Sequence, residues 1–295
     1  MDLAAYNEAQ DAAIRRLPNL LTGAFAADAY SSGRFDERLA WRFMDAMHEG
    51  RKEYNWVLVG GGLTGSEFMD FCRLTKCVDH LAQELCDRRM QATTTILRAI
   101  YQYRLVTVFN PESVLEVGPG SGYLGALLML GGVRYSAVDV SQSFYTCQHN
   151  LWKALGRKPH VHFTWWQWAE EMPTKAELVV ANHVLCEMHS YAVAFLAYRA
   201  KGIGMKNLFF DSYGLQRIPA KDVERKFAEF GYALTTKDKE LGCFGLMPSE
   251  MPDFTPPVTV MSRALVDEWL TDYFDGHVPG NPCEEFLEKC KVRTV

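Results

Sequence analysis

The chain predicts an α/β fold: a doubly wound, seven-stranded, mostly parallel sheet with an N-terminal helical domain, and three observations carry that expectation. From Val106 onward, short apolar runs alternate with stretches of helical spacing, as parallel strands joined by crossover helices require. The segment Ser113-Val-Leu-Glu-Val-Gly-Pro-Gly-Ser-Gly-Tyr-Leu-Gly125 reads as a buried strand, a glycine turn and the start of a helix. The last two apolar runs have no clear helix between them, which suits an antiparallel edge.

Taken in order, residues 1 to about 50 carry helix-compatible spacing in Leu3, Tyr6, Ala12 and Leu17, interrupted at Pro18. After a glycine loop at 60–65, a second helical stretch runs from about Ser66 to Tyr103, with Phe68, Phe71, Leu74, Val78, Leu81 and Leu85 three or four residues apart. A boundary near residue 108 then divides a helical domain or lid, 1–107, from a sheet domain, 108–295. Strands are expected at 113–117, 135–139, 160–164, 177–182, 206–212, 232–237 and 257–262. Helices are expected at about 121–131, 142–155, 188–201 and 219–230. The proline-containing run Met247 to Pro257 is a loop that could border a substrate. The tail from Asp275, with Gly276, Pro279, Gly280 and Pro282, is turn-rich before a short final helix.

The glycine turn is the most informative stretch. Gly118, Gly120 and Gly122 tolerate backbone angles and close approaches that a Cβ forbids, so a ligand can lie directly on the main chain. Glu116 stands two residues before the first glycine, and Asp139 ends the next apolar run. A dinucleotide site wants Gly-x-Gly-x-x-Gly, which seats a pyrophosphate on the helix N-terminus. Here the spacing is Gly-x-Gly-x-Gly, and an acid inside the strand would repel a pyrophosphate while suiting ammonium and sulfonium charges. Asp139 would then accept both hydroxyls of a ribose. On these residues the chain resembles the class I S-adenosylmethionine (SAM)-dependent methyltransferases, whose first motif is an acid-x-Gly-x-Gly-x-Gly turn and whose second strand ends in an acid. The resemblance covers roughly residues 105 to 265 and implies a Rossmann-like methyltransferase sheet with SAM as cofactor. It places Glu116, Gly118, Gly120, Gly122 and Asp139 at that cofactor, with Val140 and Ser141 beside the adenosine. A second stretch, Trp56-Val-Leu-Val-Gly-Gly-Gly-Leu-Thr-Gly65, matches the dinucleotide pattern literally at Gly60, Gly62 and Gly65. The residues after it, Phe71 to Cys77, make no convincing second strand, so it reads as a loop without a nucleotide role.

With 295 residues, 48% of them hydrophobic, the chain can bury a sizeable core. Its net charge of −5 offers no general basic surface for nucleic acid or an anionic membrane. The eight cysteines form no Cys-x-x-Cys pair and no zinc-like cluster, so reduced thiols and a soluble cytoplasmic protein are the expectation.

In open α/β sheets ligands sit beyond the carboxyl ends of the strands, where further candidates are sought. After the third strand, in Thr164-Trp-Trp-Gln-Trp-Ala-Glu170, the resemblance places a polar group, Gln167, and an apolar wall, Trp166, against the adenine. After the fourth comes Asn182-His-Val-Leu-Cys-Glu-Met-His189, the richest polar cluster. Asn182 is assigned to the cofactor. Methyl transfer is largely a matter of positioning, with a base needed when the acceptor is a hydroxyl. His183 is the candidate base, since imidazole with a pKa of about 6.5 is largely neutral at pH 7. Glu187 would orient it or act itself, and His189, Asp211 and Tyr213 would face the acceptor. Asp211 is one acid, too few for a metal site.

Methylases of exocyclic base nitrogens usually carry an acid or Asn followed by Pro-Pro and an aromatic after the fourth strand, whereas here His183-Val184 follow Asn182. Nucleic acid is therefore not the expected partner. Tyr101-Gln-Tyr-Arg-Leu105, Asp139-Val-Ser-Gln-Ser-Phe-Tyr145 and Gln148-His-Asn-Leu-Trp152 are similar to bacterial sugar O-methyltransferases. The resulting expectation is methyl transfer from SAM to a hydroxyl of a sugar or other small polar metabolite. N-methylation of an amine, or a non-catalytic binding protein on the same scaffold, are the alternatives. The sequence leaves the oligomeric state open, a homodimer included.

Overall fold

A computed structural model describes residues 3–16, 51–139, 142–170, 175–185, 188, 190–211, 220–236, 241–245 and 255–277. The first part of the chain forms α1 (Leu3–Arg16), α2 (Lys52–Leu58), β1 (Gly62–Leu63), α3 (Gly65–Cys86) and α4 (Thr93–Val108). There follow β2 (Ser113–Val117), α5 (Tyr123–Leu130), β3 (Arg134–Asp139), α6 (Gln142–Ala154), β4 (Val161–Thr164) and α7 (Trp165–Glu170). The remainder is β5 (Leu178–Val180), α8 (Ser190–Gly202), β6 (Asn207–Asp211), α9 (Ala220–Ala228), β7 (Ala233–Thr236), β8 (Leu241–Gly245), β9 (Met261–Ser262) and α10 (Arg263–Phe274). These elements fall into two compact units, each discontinuous in sequence: Met1–Met44 with Gln102–Phe254, and Asp45–Tyr101 with Thr255–Val295.

The first unit holds a seven-stranded sheet in the order β4-β3-β2-β5-β6-β8-β7. Strands β2 to β6 are mutually parallel, and β8 runs antiparallel between β6 and β7. All five residues of β2 and all three of β5 are buried, as central strands covered on both faces must be. Successive strands step outward from β2 to β4, and then the chain returns to β5 on the other side of β2. The crevice between β2 and β5 is thus the point where strand order reverses, the place such sheets bind ligands. In register, Val117 lies opposite Val138 and Glu116 opposite Val180, so β5, β2 and β3 end in steps of one residue, with Asp139 the furthest out.

The seventh strand is a correction. The expected strand at 257–262 is absent from this sheet, and β8 at Leu241–Gly245 takes the place beside β6. Leu-Gly-Cys-Phe-Gly lacks a strand signature because its glycine is demanded from outside: a Cβ at Gly242 would stand 2.2 Å from the Phe210 ring. Between 257 and 262 only Met261–Ser262 pairs, with Gly62–Leu63 in a separate two-stranded sheet, and Val258 and Val260 are exposed. The stretch after Thr164, where no helix was expected, is the short helix α7, and the helical stretch expected from 66 to 103 is two helices. Its break follows the left-handed Asp87, at φ 51°.

In the second unit α3 starts on a capping box, Thr64 accepting from the Glu67 amide at 3.2 Å and Glu67 accepting from the Thr64 amide at 2.8 Å. Trp269 of α10 packs edge-on against Phe68 and Phe71. Asp79 is buried and receives Arg89, Gln83 and Tyr273. The literal dinucleotide glycines sit here: Gly60 turns with positive φ after the helix α2, Gly62 lies in β1 and Gly65 opens α3, so no strand precedes the first of them, and among the described residues α3 is followed by another helix, α4, and not by a strand. The expected final helix lies beyond the described residues. Among the described residues no helix is long and apolar enough to cross a membrane.

Candidate active site

The turn Gly118–Gly122 leaves the carboxyl end of β2 and enters α5, and Gly118, Gly120 and Gly122 adopt φ of 68°, 53° and 75°. Two of these glycines are required for different reasons. A Cβ at Gly118 would lie 2.4 Å from Cγ2 of Val184, because the turn that follows β5 closes directly on the β2 turn. A Cβ at Gly120 would meet nothing within 4 Å, so its main chain faces open space where a ligand can lie against the backbone.

Helix α6 clamps this turn from the side. Gln148, fully buried, donates to the Gly120 carbonyl at 2.8 Å and to Oδ2 of Asp139 at 2.7 Å. Its own carbonyl oxygen pairs with Nε2 of His162 at 2.9 Å. Trp152 donates its indole N–H to the Gly122 carbonyl at 2.9 Å. His162 stacks on Tyr145 with centroids 3.8 Å apart, and burial first, then the nearby His149, pushes its pKa down to about 3. A neutral imidazole therefore holds Gln148 in one orientation across the physiological range. Gln148 ties the buried Asp139 carboxylate to the glycine turn, a positioning role invisible in spacing. One trace of it was present in sequence, as the first residue of Gln148-His-Asn-Leu-Trp152.

Glu116 points away from a simple ion-pair role. Its Oε2 accepts from the Tyr135 hydroxyl at 2.6 Å, both groups being buried. Burial raises its pKa to about 7, the Tyr135 hydrogen bond opposes that rise, and Asp139 adds to it. Tyr135 in turn packs over Gly125, where a Cβ would stand 2.3 Å from its ring, and edge-on against Trp152. The acid of the first motif is thus part of a buried network beneath the turn.

Beyond β5, Asn182 is 8% exposed, and neither its amide nitrogen nor its amide oxygen has a hydrogen-bond partner among the described residues. Leaving both atoms buried and unpaired is costly. His183 follows in a left-handed conformation, φ 55°, half-buried.

After β4, Gln167 accepts from the Thr164 amide at 3.0 Å and from the Thr164 hydroxyl at 3.1 Å, so its oxygen caps α7. Trp166 is buried, edge-on to Trp165 at 5.4 Å and to Tyr6 of α1 at 5.0 Å. Val140, Ser141, Glu187, His189 and Tyr213 lie outside the described residues, as does the side chain of Asp211, whose backbone ends β6 opposite Leu241. The structure therefore gathers the glycine turn, Asp139, Asn182 and His183 at one edge of the sheet. Sequence reading missed the contribution of α1, whose only signal was helical spacing.

No protein-family model matches the chain, and comparison with curated proteins gives no match. Among solved structures it is similar to the magnesium protoporphyrin IX methyltransferase of Synechocystis with bound SAM, at 14% identity over 50% of this chain and 81% of that one, with a TM-score of 0.37. A TehB-like SAM-dependent methyltransferase of Corynebacterium glutamicum is 16% identical over 49% of this chain and 86% of its own, TM-score 0.39. The glycopeptide N-methyltransferase MtfA is 13% identical over 50% and 88%, TM-score 0.38.

Proposed function

We propose that the chain is a SAM-dependent methyltransferase acting on a hydroxyl of a sugar or another small polar metabolite. The observation that carries this reading is the convergence, at the strand-order reversal, of an open glycine backbone, a buried Asp139 and an Asn182 with both amide atoms unpaired. These residues fit the cofactor: Asp139 would take the ribose hydroxyls, the Gly120 backbone would lie along the methionine portion, and Asn182 would satisfy its two orphan atoms on polar groups there. Trp166 would wall the adenine, and the capping Gln167 would keep that wall in place. Bound there, SAM would supply an electrophilic methyl group on a sulfonium.

The chain's own residues would do the rest. His183 would accept the acceptor's proton, with its left-handed backbone fixing the direction of the ring. Glu187, His189, Asp211 and Tyr213 are proposed for the acceptor side. An N-terminal helical domain, residues 1–107, and cytoplasmic location are part of the same proposal. Calorimetric titration with S-adenosylhomocysteine tests the site: the wild type binds, and Asp139→Ala loses binding at least tenfold. Absence of wild-type binding overturns the methyltransferase reading. Turnover of amines but not hydroxyls in a labelled-SAM screen overturns the acceptor class alone.

A further inference from the structure

Helix α1 brings a residue to this site from the far end of the sequence. Tyr6 is 1% exposed, with its ring 5.0 Å from Trp166 and 5.2 Å from Tyr145. Its hydroxyl is buried and has no hydrogen-bond partner among the described residues. Burial raises the phenol's pKa, and the Asp139 carboxylate raises it next, which places the hydroxyl within electrostatic reach of the proposed ribose acid. The helix is held there on the same face: Gln142 Nε2 donates to Asn7 Oδ1 at 2.5 Å, Trp165 donates to Gln10 Oε1 at 3.4 Å, and Arg16 forks onto Glu170 at 2.5 and 2.8 Å. Ala13, on that face too, is fully buried. Gln142 has a buried side-chain oxygen that also lacks a partner.

If packing were the whole role of position 6, phenylalanine would supply the same ring without leaving a donor unpaired in the interior. The hydroxyl is therefore surplus to the fold as described, and two of the groups around it, Trp166 and Asp139, are assigned to the adenosine.

We propose that α1 forms the roof of the adenosine half of the cofactor site and that the Tyr6 hydroxyl donates a hydrogen bond to the bound cofactor beside Asp139. Tyr6 is then a binding residue rather than core. The inference rests on the SAM reading of the site and extends it to the N-terminal helix. Substrate selection does not enter: the roof contacts the part of the cofactor shared by SAM and S-adenosylhomocysteine.

Calorimetric titration of the full chain with S-adenosylhomocysteine and, separately, adenosine tests it, using wild type, Tyr6→Phe and Tyr6→Ala. Tyr6→Phe should weaken both ligands by about tenfold, the loss expected for one buried hydrogen bond to a ligand, while the melting temperature without ligand stays the same or rises. Tyr6→Ala should weaken binding further and speed ligand release in stopped-flow displacement. Wild-type binding with a Tyr6→Phe Kd within twofold overturns the Tyr6 assignment alone. A tenfold loss for S-adenosylhomocysteine with none for adenosine also overturns it, because the contact would then lie elsewhere. No wild-type binding of S-adenosylhomocysteine overturns the cofactor site and this inference together.

Discussion

Gly118 and Gly120 are both left-handed glycines in one turn, yet the structure assigns their substitution to alanine opposite consequences. At Gly118 the new Cβ would stand 2.4 Å from Val184 Cγ2, and valine is stiff at χ1, so the clash cannot be relieved by swinging a side chain away. Left-handed strain of about 1–2 kcal/mol adds to an overpacking cost of about 1–3 kcal/mol. The sum, roughly 2–5 kcal/mol, lowers the melting temperature by about 5–15 °C in a domain of this size. At Gly120 nothing lies within 4 Å of the new methyl group, so only the backbone strain of about 1–2 kcal/mol remains and the melting temperature falls by a few degrees. Ligand binding should reverse the order of severity at Gly120, where the methyl fills the space against which a ligand lies. A loss of at least about tenfold in S-adenosylhomocysteine affinity, or 1.4 kcal/mol, is expected. Differential scanning calorimetry without ligand and isothermal titration with it measure the two quantities. A Gly120→Ala protein that binds within twofold of wild type, or a Gly118→Ala protein as stable as wild type, refutes this division of labour.

Two further predictions follow from the same edge of the sheet. Glu116 holds its proton up to about pH 7 in the fold against an ordinary 4.5, so the folded state binds that proton more tightly than the unfolded chain between those values. Stability should therefore fall through this group as pH rises from 4.5 to 7 and level off above, and Glu116→Gln, which is permanently neutral, should lack that component in urea midpoints measured across the window; parallel profiles sink the claim. His183→Asn keeps a residue that tolerates the left-handed backbone while removing the imidazole. Turnover on a hydroxyl acceptor should fall about 10²–10⁴-fold with S-adenosylhomocysteine affinity little changed, and an unchanged rate would remove His183 as the base.

The central fold was legible because its signals are local. Ser113–Val117 is a short run, apolar but for Ser113 and Glu116, the turn is marked by three glycines at positive φ, and Asp139 closes the next run. Strand β8 escaped because Gly242 is dictated by Phe210, a residue far away in sequence, so its strand character lies in the partner and not in the segment. The run at 257–262 has a strand's alternation but gains only two paired residues. Gln167 illustrates the same limit within the site: its position after a strand end did not reveal that its oxygen caps α7.

By itself the sequence determined the class of the sheet, the three-glycine turn and the acids around it, since backbone conformation and burial periodicity are written residue by residue. Tertiary structure alone decided which groups meet across that turn. Glu116 is bonded to Tyr135 beneath it, Gln148 and His162 hold Asp139 against it, Val184 closes on Gly118, and Tyr6 arrives from α1. Those contacts join residues from 9 to 160 positions apart, and no helical or strand period encodes which partner each will meet. The physical reason is that hydrogen-bond satisfaction and close packing are properties of the assembled interior.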